Sequence, residues 1–143
     1  AAVKESIVLE TKEEFVKKIL SGSNIEVPVQ CNERFEHHFR GALNPEWQLK
    51  GDIFEVLFHK EGIEYIAELD AMGELIKYKM NLNKELLPTL IRSRLEKERE
   101  IMNVVLINKR DHIMYEIIVR SSALSRFRLI VDQMGEVVEE KPL

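Results

Sequence analysis

The sequence Asp-Ala-Met-Gly-Glu-Leu-Ile at residues 70–76 recurs as Asp-Gln-Met-Gly-Glu-Val-Val at residues 132–138. Each copy lies between short apolar runs of the kind that form β-strands. Aspartate suits the first position of a type I turn, and glycine suits the left-handed position of a bulged hairpin. We therefore expect each copy to be the tip of a β-hairpin, with positive φ at Gly73 and Gly135.

Other landmarks recur at nearly the same spacing as these two turns. In chain order the pairs are Pro28 with Pro88, Phe35 with Leu95, Phe54-Glu55-Val56 with Tyr115-Glu116-Ile117, Tyr65 with Phe127, Asp70 with Asp132, and Gly73 with Gly135. Their offset drifts only from 60 to 62 residues. A run of ordered matches at one period is the signature of an internal repeat. The sequence therefore predicts a tandem duplication.

Each half of the duplication contains an amphipathic helical stripe followed by four strand-like runs. The stripes are Cys31, Phe35, Phe39 and Ala42 in the first half, and Leu87, Leu90, Ile91 and Leu95 in the second. The predicted organisation is an N-terminal appendage at residues 1–24 (a short strand and a helix), a first repeat at 25–86 and a second at 87–143. The predicted fold is α+β: two tandem helix-plus-four-stranded antiparallel units that form one continuous sheet, with the helices on one face.

Alternation along the strands assigns side chains to the two faces of this sheet. The helix-covered face should hold Phe54, Val56, Phe58, Ala67 and Leu69, then Tyr115, Ile117, Val119, Leu129 and Val131, and Trp47 should be buried there too. The opposite face mixes aliphatic and charged residues, so we expect it to meet water or a partner. Our candidate partner-binding residues are Glu55, Leu57, Glu64, Ile66, Glu68, Ile118, Arg120, Arg126, Arg128 and Ile130.

Charge differs between the halves: residues 28–86 carry a net charge of −4 and residues 87–143 carry +1. The chain of 143 residues, 45% hydrophobic and 32% charged, has the composition of a globular domain. A net charge of −4 makes nucleic acid an unexpected partner, and no apolar run is long enough for membrane insertion. Lys4 and Glu5 come too early for a signal peptide, yet the first residue is alanine, so a removed leader stays open.

Candidate catalytic and metal-binding residues have simpler structural interpretations. His37 and His38 are adjacent on a helix, where their side chains diverge by about 100° and cannot chelate together. Cys31 lies on the apolar stripe as core filling, and the turn aspartates should cap backbone N–H groups. We expect Met72 and Met134 to pack back over the end of the sheet; the alternative is that they form a soft binding contact at the turn tips. We therefore predict no catalytic residue, no metal site and no cofactor.

Several of these motifs together resemble the PepSY-like proteins, which are related in architecture to the beta-lactamase inhibitor protein. The resemblance covers about residues 25–140 and rests on doubled elements: proline then helix, Phe/Tyr-Glu-Val/Ile, an aromatic residue two before Ala67 or Leu129, and Asp-x-x-Gly. Pro45-Glu-Trp47 adds a Pro-x-Trp element that the second half lacks. The family implies two helix-plus-sheet units, export from a bacterial cell and no demonstrated catalysis. No inhibitory residue carries over, because those loops vary.

Three classes of function follow. The first is a non-catalytic binding or inhibitory module of the bacterial cell envelope, periplasmic or secreted, that uses the open sheet face to bind a protein partner. The second is a small-ligand carrier with the sheet as the floor of a pocket. The third is an enzyme, which would need a cleft with perturbed acids or histidines. A large apolar pocket would favour the carrier, and a broad, shallow, charged sheet face would favour the binding module.

Overall fold

The computed structural model describes residues 25–143, so the predicted appendage at residues 1–24 lies outside the described part of the chain. The elements are α1 (Val29–His38), β1 (Leu43–Lys50), β2 (Ile53–Lys60), β3 (Ile63–Leu69), β4 (Leu75–Leu82), a 3-10 helix (Lys84–Leu86), α2 (Thr89–Glu96), β5 (Arg99–Lys109), β6 (His112–Ser121), β7 (Arg126–Asp132) and β8 (Val137–Pro142). The strands lie in sequence order in one eight-stranded sheet. The ladders between successive strands of β1–β3 and of β5–β8 are antiparallel.

The prediction of two units, each with one helix and four strands, is wrong. Residues 25–143 form a single sheet with two α-helices, and one compact unit ends at Tyr78 while the other begins at Lys79. This boundary falls inside β4, because Tyr78 packs on the core of the first unit whereas Leu82 packs on that of the second. The mixed α+β class is confirmed.

The core of the first unit lies between α1 and β1–β4. Cys31 and Phe35 on α1, together with Phe39 after it, meet the buried side chains Phe54, Val56, Phe58, Ala67 and Leu69. The burial predicted for that face of β2 and β3 is confirmed. The ring of Phe35 packs edge-on against Phe58 at 5.0 Å, and Phe58 stacks on Tyr65 at 5.1 Å. Aromatic contacts of this kind stabilise a core beyond simple area burial.

Trp47 differs from the prediction, because it is half-buried rather than buried. Its ring meets Phe35 edge-on at 5.2 Å, and it lies opposite Val56 in the ladder between β1 and β2. Among residues 25–143, β1 has a neighbouring strand on one side only. The outer side of the indole is therefore not covered by another described strand.

The core of the second unit consists mainly of aliphatic side chains. Tyr115, Ile117, Val119, Leu129 and Val131 are buried as predicted, together with Leu87, Ile91, Ile101 and Val104. Leu90 departs from its predicted place on the helical stripe, since it is 64% exposed. Leu87, Ile91 and Leu95 recur every four residues and form one ridge, whereas Leu90 is turned by about 100° from Ile91.

The two Asp-x-x-Gly turns make the same hydrogen bonds. In the first turn, Oδ1 of Asp70 accepts from the N–H groups of Met72 and Glu74, both at 2.9 Å. In the second turn, Oδ1 of Asp132 accepts from Met134 and Glu136, again at 2.9 Å. Each glycine N–H donates to the carbonyl of its own aspartate. Gly73 and Gly135 both have φ of 89°, which confirms the predicted positive φ.

Each turn also contacts the helix of its own unit at the glycine. A Cβ at Gly73 would lie 2.7 Å from Cβ and Cγ of Arg34 and 2.9 Å from the carbonyl oxygen of Gln30. A Cβ at Gly135 would lie 3.3 Å from Arg94 Nη1, which itself donates to the Gly135 carbonyl at 3.1 Å. Only a glycine allows α1 to approach the first turn this closely, and the second approach is looser.

Alanine substitutions at Gly51, Gly135 and Gly73 should lower the stability of the protein by different amounts. Gly51 has φ of 63° with open space around a built Cβ, so Gly51→Ala should cost only the backbone strain, about 1 kcal/mol. Gly135→Ala adds a tight contact with a flexible arginine, and we expect about 1–2 kcal/mol. Gly73→Ala adds an overlap with helix atoms and should cost about 3 kcal/mol or more. Urea unfolding of the three variants measures the order, and equal losses would contradict the close approach at Gly73.

Half-burial lowers the expected contribution of Trp47 to stability. A fully buried tryptophan replaced by alanine loses about 3–5 kcal/mol, so Trp47→Ala should lose about 2 kcal/mol. Leu49→Ala, on the same face of β1 and 47% exposed, should lose less than about 1 kcal/mol. The free energy of unfolding from denaturant titration gives both values. An unchanged value for Trp47→Ala would show that the indole contributes nothing to the first core.

Candidate binding surface

The open face of the second unit is defined here as the side of β5–β8 that turns away from the buried cluster containing Ile117. The predicted site residues on it are Ile118, Arg120, Arg126, Arg128 and Ile130, and the ladder between β6 and β7 brings them together. Ile118 pairs with Arg128, and Ile130 pairs with Glu116. Each aliphatic side chain thus lies opposite a charged one. Both isoleucines are half-buried rather than fully exposed.

An ion-pair network crosses this face around Arg128. The guanidinium of Arg128 donates to Glu116, and its Nη1 lies 3.6 Å from Oε2 of Glu139. Lys141 Nζ lies 3.1 Å from the same Glu139 oxygen. The hydrogen bond with Glu116 raises the pKa of Arg128, and the hydrogen bond with Lys141 lowers the pKa of Glu139. The pairs of Glu139 are therefore kept at neutral pH and are lost when the pH falls through its lowered pKa.

Arg120 and Arg126 lie directly opposite each other in the ladder between β6 and β7. Like charges in this position repel across a sheet. Arg120 is compensated by Glu100 on β5, since its Nη2 lies 2.6 Å and its Nε 3.2 Å from Oε1 of Glu100. Arg126 is exposed and forms no ion pair with residues 25–143. Arg126 is therefore the site cation whose charge is most available to an outside group.

The open face of the first unit is defined in the same way, on β1–β4 away from the buried cluster containing Phe58. The predicted residues on it are Glu55, Leu57, Glu64, Ile66 and Glu68. Glu55 pairs with Glu68, and Leu57 pairs with Ile66 in the ladder. Lys50 and Lys77 compensate the two acids at 3.1 and 3.7 Å. Ile66 is 38% exposed, whereas Leu57 is half-buried.

The residues considered for metal or nucleophilic chemistry lie apart from these faces. Cys31, on the inner side of α1, is fully buried, as expected for core filling. Burial together with the charge of Asp70 raises the pKa of its thiol. The rings of His37 and His38 lie 6.2 Å apart, and both side chains are exposed. Within residues 25–143, no group of three or more His, Cys, Asp or Glu side chains is placed to hold a metal ion.

The methionines at the turn tips do not pack back over the sheet. Met72 is 65% exposed and Met134 is 75% exposed, so the prediction of packed tips is wrong. The reason is that the glycine, rather than the methionine, faces the helix in each turn. Met72 keeps one polar contact, because Gln30 Nε2 lies 3.2 Å from its sulfur.

A groove of about 350 Å³ lies at one end of the second unit, where β5 and β6 meet. Its walls carry Glu96, Glu98, Glu100, Arg99 and Arg120, with two serines and Leu124. Charged walls of this kind differ from the apolar lining of a small-molecule pocket.

In the described part of the chain, no helix has the length and apolar content that crossing a bilayer requires.

The aliphatic and charged members of the open faces could be predicted from the sequence, whereas most of their ionic partners could not. The charges of four predicted residues are compensated by Glu100, Glu139, Lys50 and Lys77, and Lys141 in turn compensates Glu139. All five lie on strands, at positions that the sequence pattern did not assign to a face. The alternation of Glu139 and Lys141 beyond Val138 was the available signal, since it continues the period of a strand.

Comparison with known proteins identifies solved structures that share this fold. Neither the models of known protein families nor the curated proteins gave a match. A solved BLIP-like protein from Bacteroides fragilis matches with a TM-score of 0.70 and 15% identity over 85% of this chain and 89% of its own. A DUF2874 family protein from Bacteroides uniformis matches with a TM-score of 0.70 and 10% identity over 82% and 90%. A Bacteroides eggerthii protein whose description proposes a periplasmic location matches with a TM-score of 0.68 and 11% identity over 82% and 90%. The chain therefore has a BLIP-like fold.

Proposed function

We propose that this protein is a non-catalytic binding module, and that the open faces of its sheet contact a protein partner. The observation that carries the proposal is the arrangement around Ile118 and Ile130. These two aliphatic side chains lie beside a network of Arg128, Glu116 and Glu139. Apolar anchors surrounded by polar groups that exclude water are typical of protein interfaces.

The charges on this face would set the orientation of a bound partner more than its affinity. Arg120 and Arg128 are already compensated by Glu100 and Glu116, so they act as fixed parts of the surface. Arg126 is exposed and would attract an acidic group on a partner. Charges at the rim of an interface mainly raise the association rate, and this effect weakens with salt.

The first unit offers a second, acidic surface to the same kind of partner. Its candidate residues remain Glu55, Leu57, Glu64, Ile66 and Glu68. Ile66 is the exposed aliphatic side chain there, and Glu64 and Glu68 flank it along β3. This surface would favour a basic contact, whereas Arg126 would favour an acidic one.

The carrier function is less well supported than the binding module. A carrier would need an enclosed apolar pocket, whereas the groove at the end of β5 and β6 has charged walls. The BLIP-like fold of the neighbours supports the binding module as well, although at 10–15% identity it carries no residue-level role. The description of the Bacteroides eggerthii protein supports a periplasmic or secreted location for this chain.

The test measures binding to a partner enriched from a bacterial envelope extract and then purified. We change Arg126 to Glu and leave Arg128 alone, because Arg128 holds Glu116 and Glu139 within the fold. Arg126→Glu should weaken binding about tenfold at low salt, mostly through a slower association rate. Lys97→Glu, at the exposed end of α2, makes the same charge change away from the face and should leave the affinity unchanged.

A second pair of variants tests the aliphatic part of the acidic surface. Ile66→Ser should weaken the same interaction, and Leu90→Ser, on an exposed side of α2, should not. Circular dichroism and thermal melting establish that all four variants are folded. Equal affinity and equal salt dependence for Arg126→Glu, Ile66→Ser and the two controls would contradict the open faces as the binding site.

A further inference from the structure

β1 forms one end of the sheet in residues 25–143. β2 pairs with its inner side, and no other described strand pairs with its outer side. An end strand presents a row of N–H and C=O groups that can pair with another extended chain. This edge is separate from the open faces discussed above.

The sequence of β1 is complementary to itself in antiparallel orientation. When two copies of residues 46–50 are laid antiparallel about Gln48, Glu46 of each copy meets Lys50 of the other. Trp47 of each copy likewise meets Leu49 of the other, and the two Gln48 residues meet on the two-fold axis. Such a pairing is isologous, because each contact occurs twice.

The observed register places these contacts on two separate faces. Trp47 and Leu49 lie opposite Val56 and Phe54, on the core side of the sheet, while Gln48 lies opposite Glu55 on the other side. Leu49 is 47% exposed and Trp47 is half-buried, so both leave apolar area at the edge. We propose that β1 pairs with β1 of a second copy of this chain, with an apolar pair on one face and a Glu46–Lys50 ion pair on the other.

The other end of the sheet lacks this complementarity. β8 reads Val-Val-Glu-Glu-Lys-Pro. Pairing it with itself about Glu140 matches each Glu139 with Lys141 of the other copy, but it places two glutamates on the axis. Pairing about the bond between Glu139 and Glu140 makes two Glu–Glu pairs, which repel. Pro142 also removes one backbone donor. β1 is therefore the edge that fits a second copy.

The length of the matching segment sets the strength of the dimer. Pro45 lacks an N–H on one side of the segment, and the turn at Gly51, with φ of 63°, ends it on the other. Five residues from each chain bury far less than the roughly 1,000 Å² typical of stable interfaces. The dimer is therefore weak and reversible, and it forms at high protein concentration.

A cysteine on the two-fold axis tests this geometry directly. Directly opposed residues of antiparallel strands have Cα atoms about 4.5–5.5 Å apart, which suits a disulfide. Gln48→Cys should therefore give a covalent dimer under mild oxidation of the full chain. Glu46→Cys is the matched control on the same face, where the two cysteines would be about 13 Å apart and should not join. The native Cys31 is fully buried and should not contribute.

Charge changes test the ion pair by sedimentation velocity over a range of protein concentrations. The wild-type chain should associate reversibly, and Glu46→Lys should weaken association at least fivefold while leaving the internal Lys50–Glu55 pair in place. The triple variant Glu46→Lys, Lys50→Glu and Glu55→Lys reverses both the intermolecular pair and the internal Lys50–Glu55 pair, and it should restore association. Glu36→Lys, on an exposed part of α1, should not affect it. A wild-type chain that stays monomeric, or equal disulfide yields from Gln48→Cys and Glu46→Cys, would overturn the proposal. A monomeric chain whose β1 amides respond to a synthetic peptide of residues 44–52 would also overturn it, and would identify the edge as a peptide site.

Discussion

The structure depends on how one aspartate and one glycine hold each hairpin turn against a helix. The carboxylate of Asp70 accepts two backbone N–H groups of its turn, and the carboxylate of Asp132 does the same. The glycine three residues later has no side chain, so α1 approaches the first turn to within the space of a methyl group. The helix of each unit then covers the face of the strands that carries the alternating apolar residues.

The faces and edges follow from this placement. Within each unit, the helix covers one side of its strands, and aliphatic and aromatic side chains fill that side. The other side carries aliphatic residues among ion pairs, such as Ile118 beside the Arg128–Glu116 pair. The end strand β1 has neither a helix over all of its core side nor a described strand beyond it, so Trp47 and Leu49 keep exposed apolar area.

Much of the local structure could be predicted from the sequence. Every residue assigned to the helix-covered face of β2, β3, β6 and β7 is buried. Period-two alternation specifies these positions, because a shift of one residue would turn each side chain to the other face. Leu90, Trp47, Met72 and Met134 were misplaced, since their exposure depends on helix rotation, on the end of the sheet and on which turn residue faces the helix. The division inside β4 has no signal in the sequence, because recurring landmarks do not fix where packing separates.

Amide hydrogen exchange at the turns tests the central interaction most directly. Met72 and Met134 have exposed side chains, yet their N–H groups are bound by aspartate oxygens at 2.9 Å. If the aspartates hold the turns closed while the glycines pack against the helices, these two amides and those of Glu74 and Glu136 exchange as slowly as the core strand amides, through opening of the whole unit. Residue-resolved NMR exchange should show this protection, in contrast with fast exchange at Gly62 in the β2–β3 turn. Exchange at Met72 and Met134 as fast as at Gly62 would show that the turns open on their own, and would contradict the account.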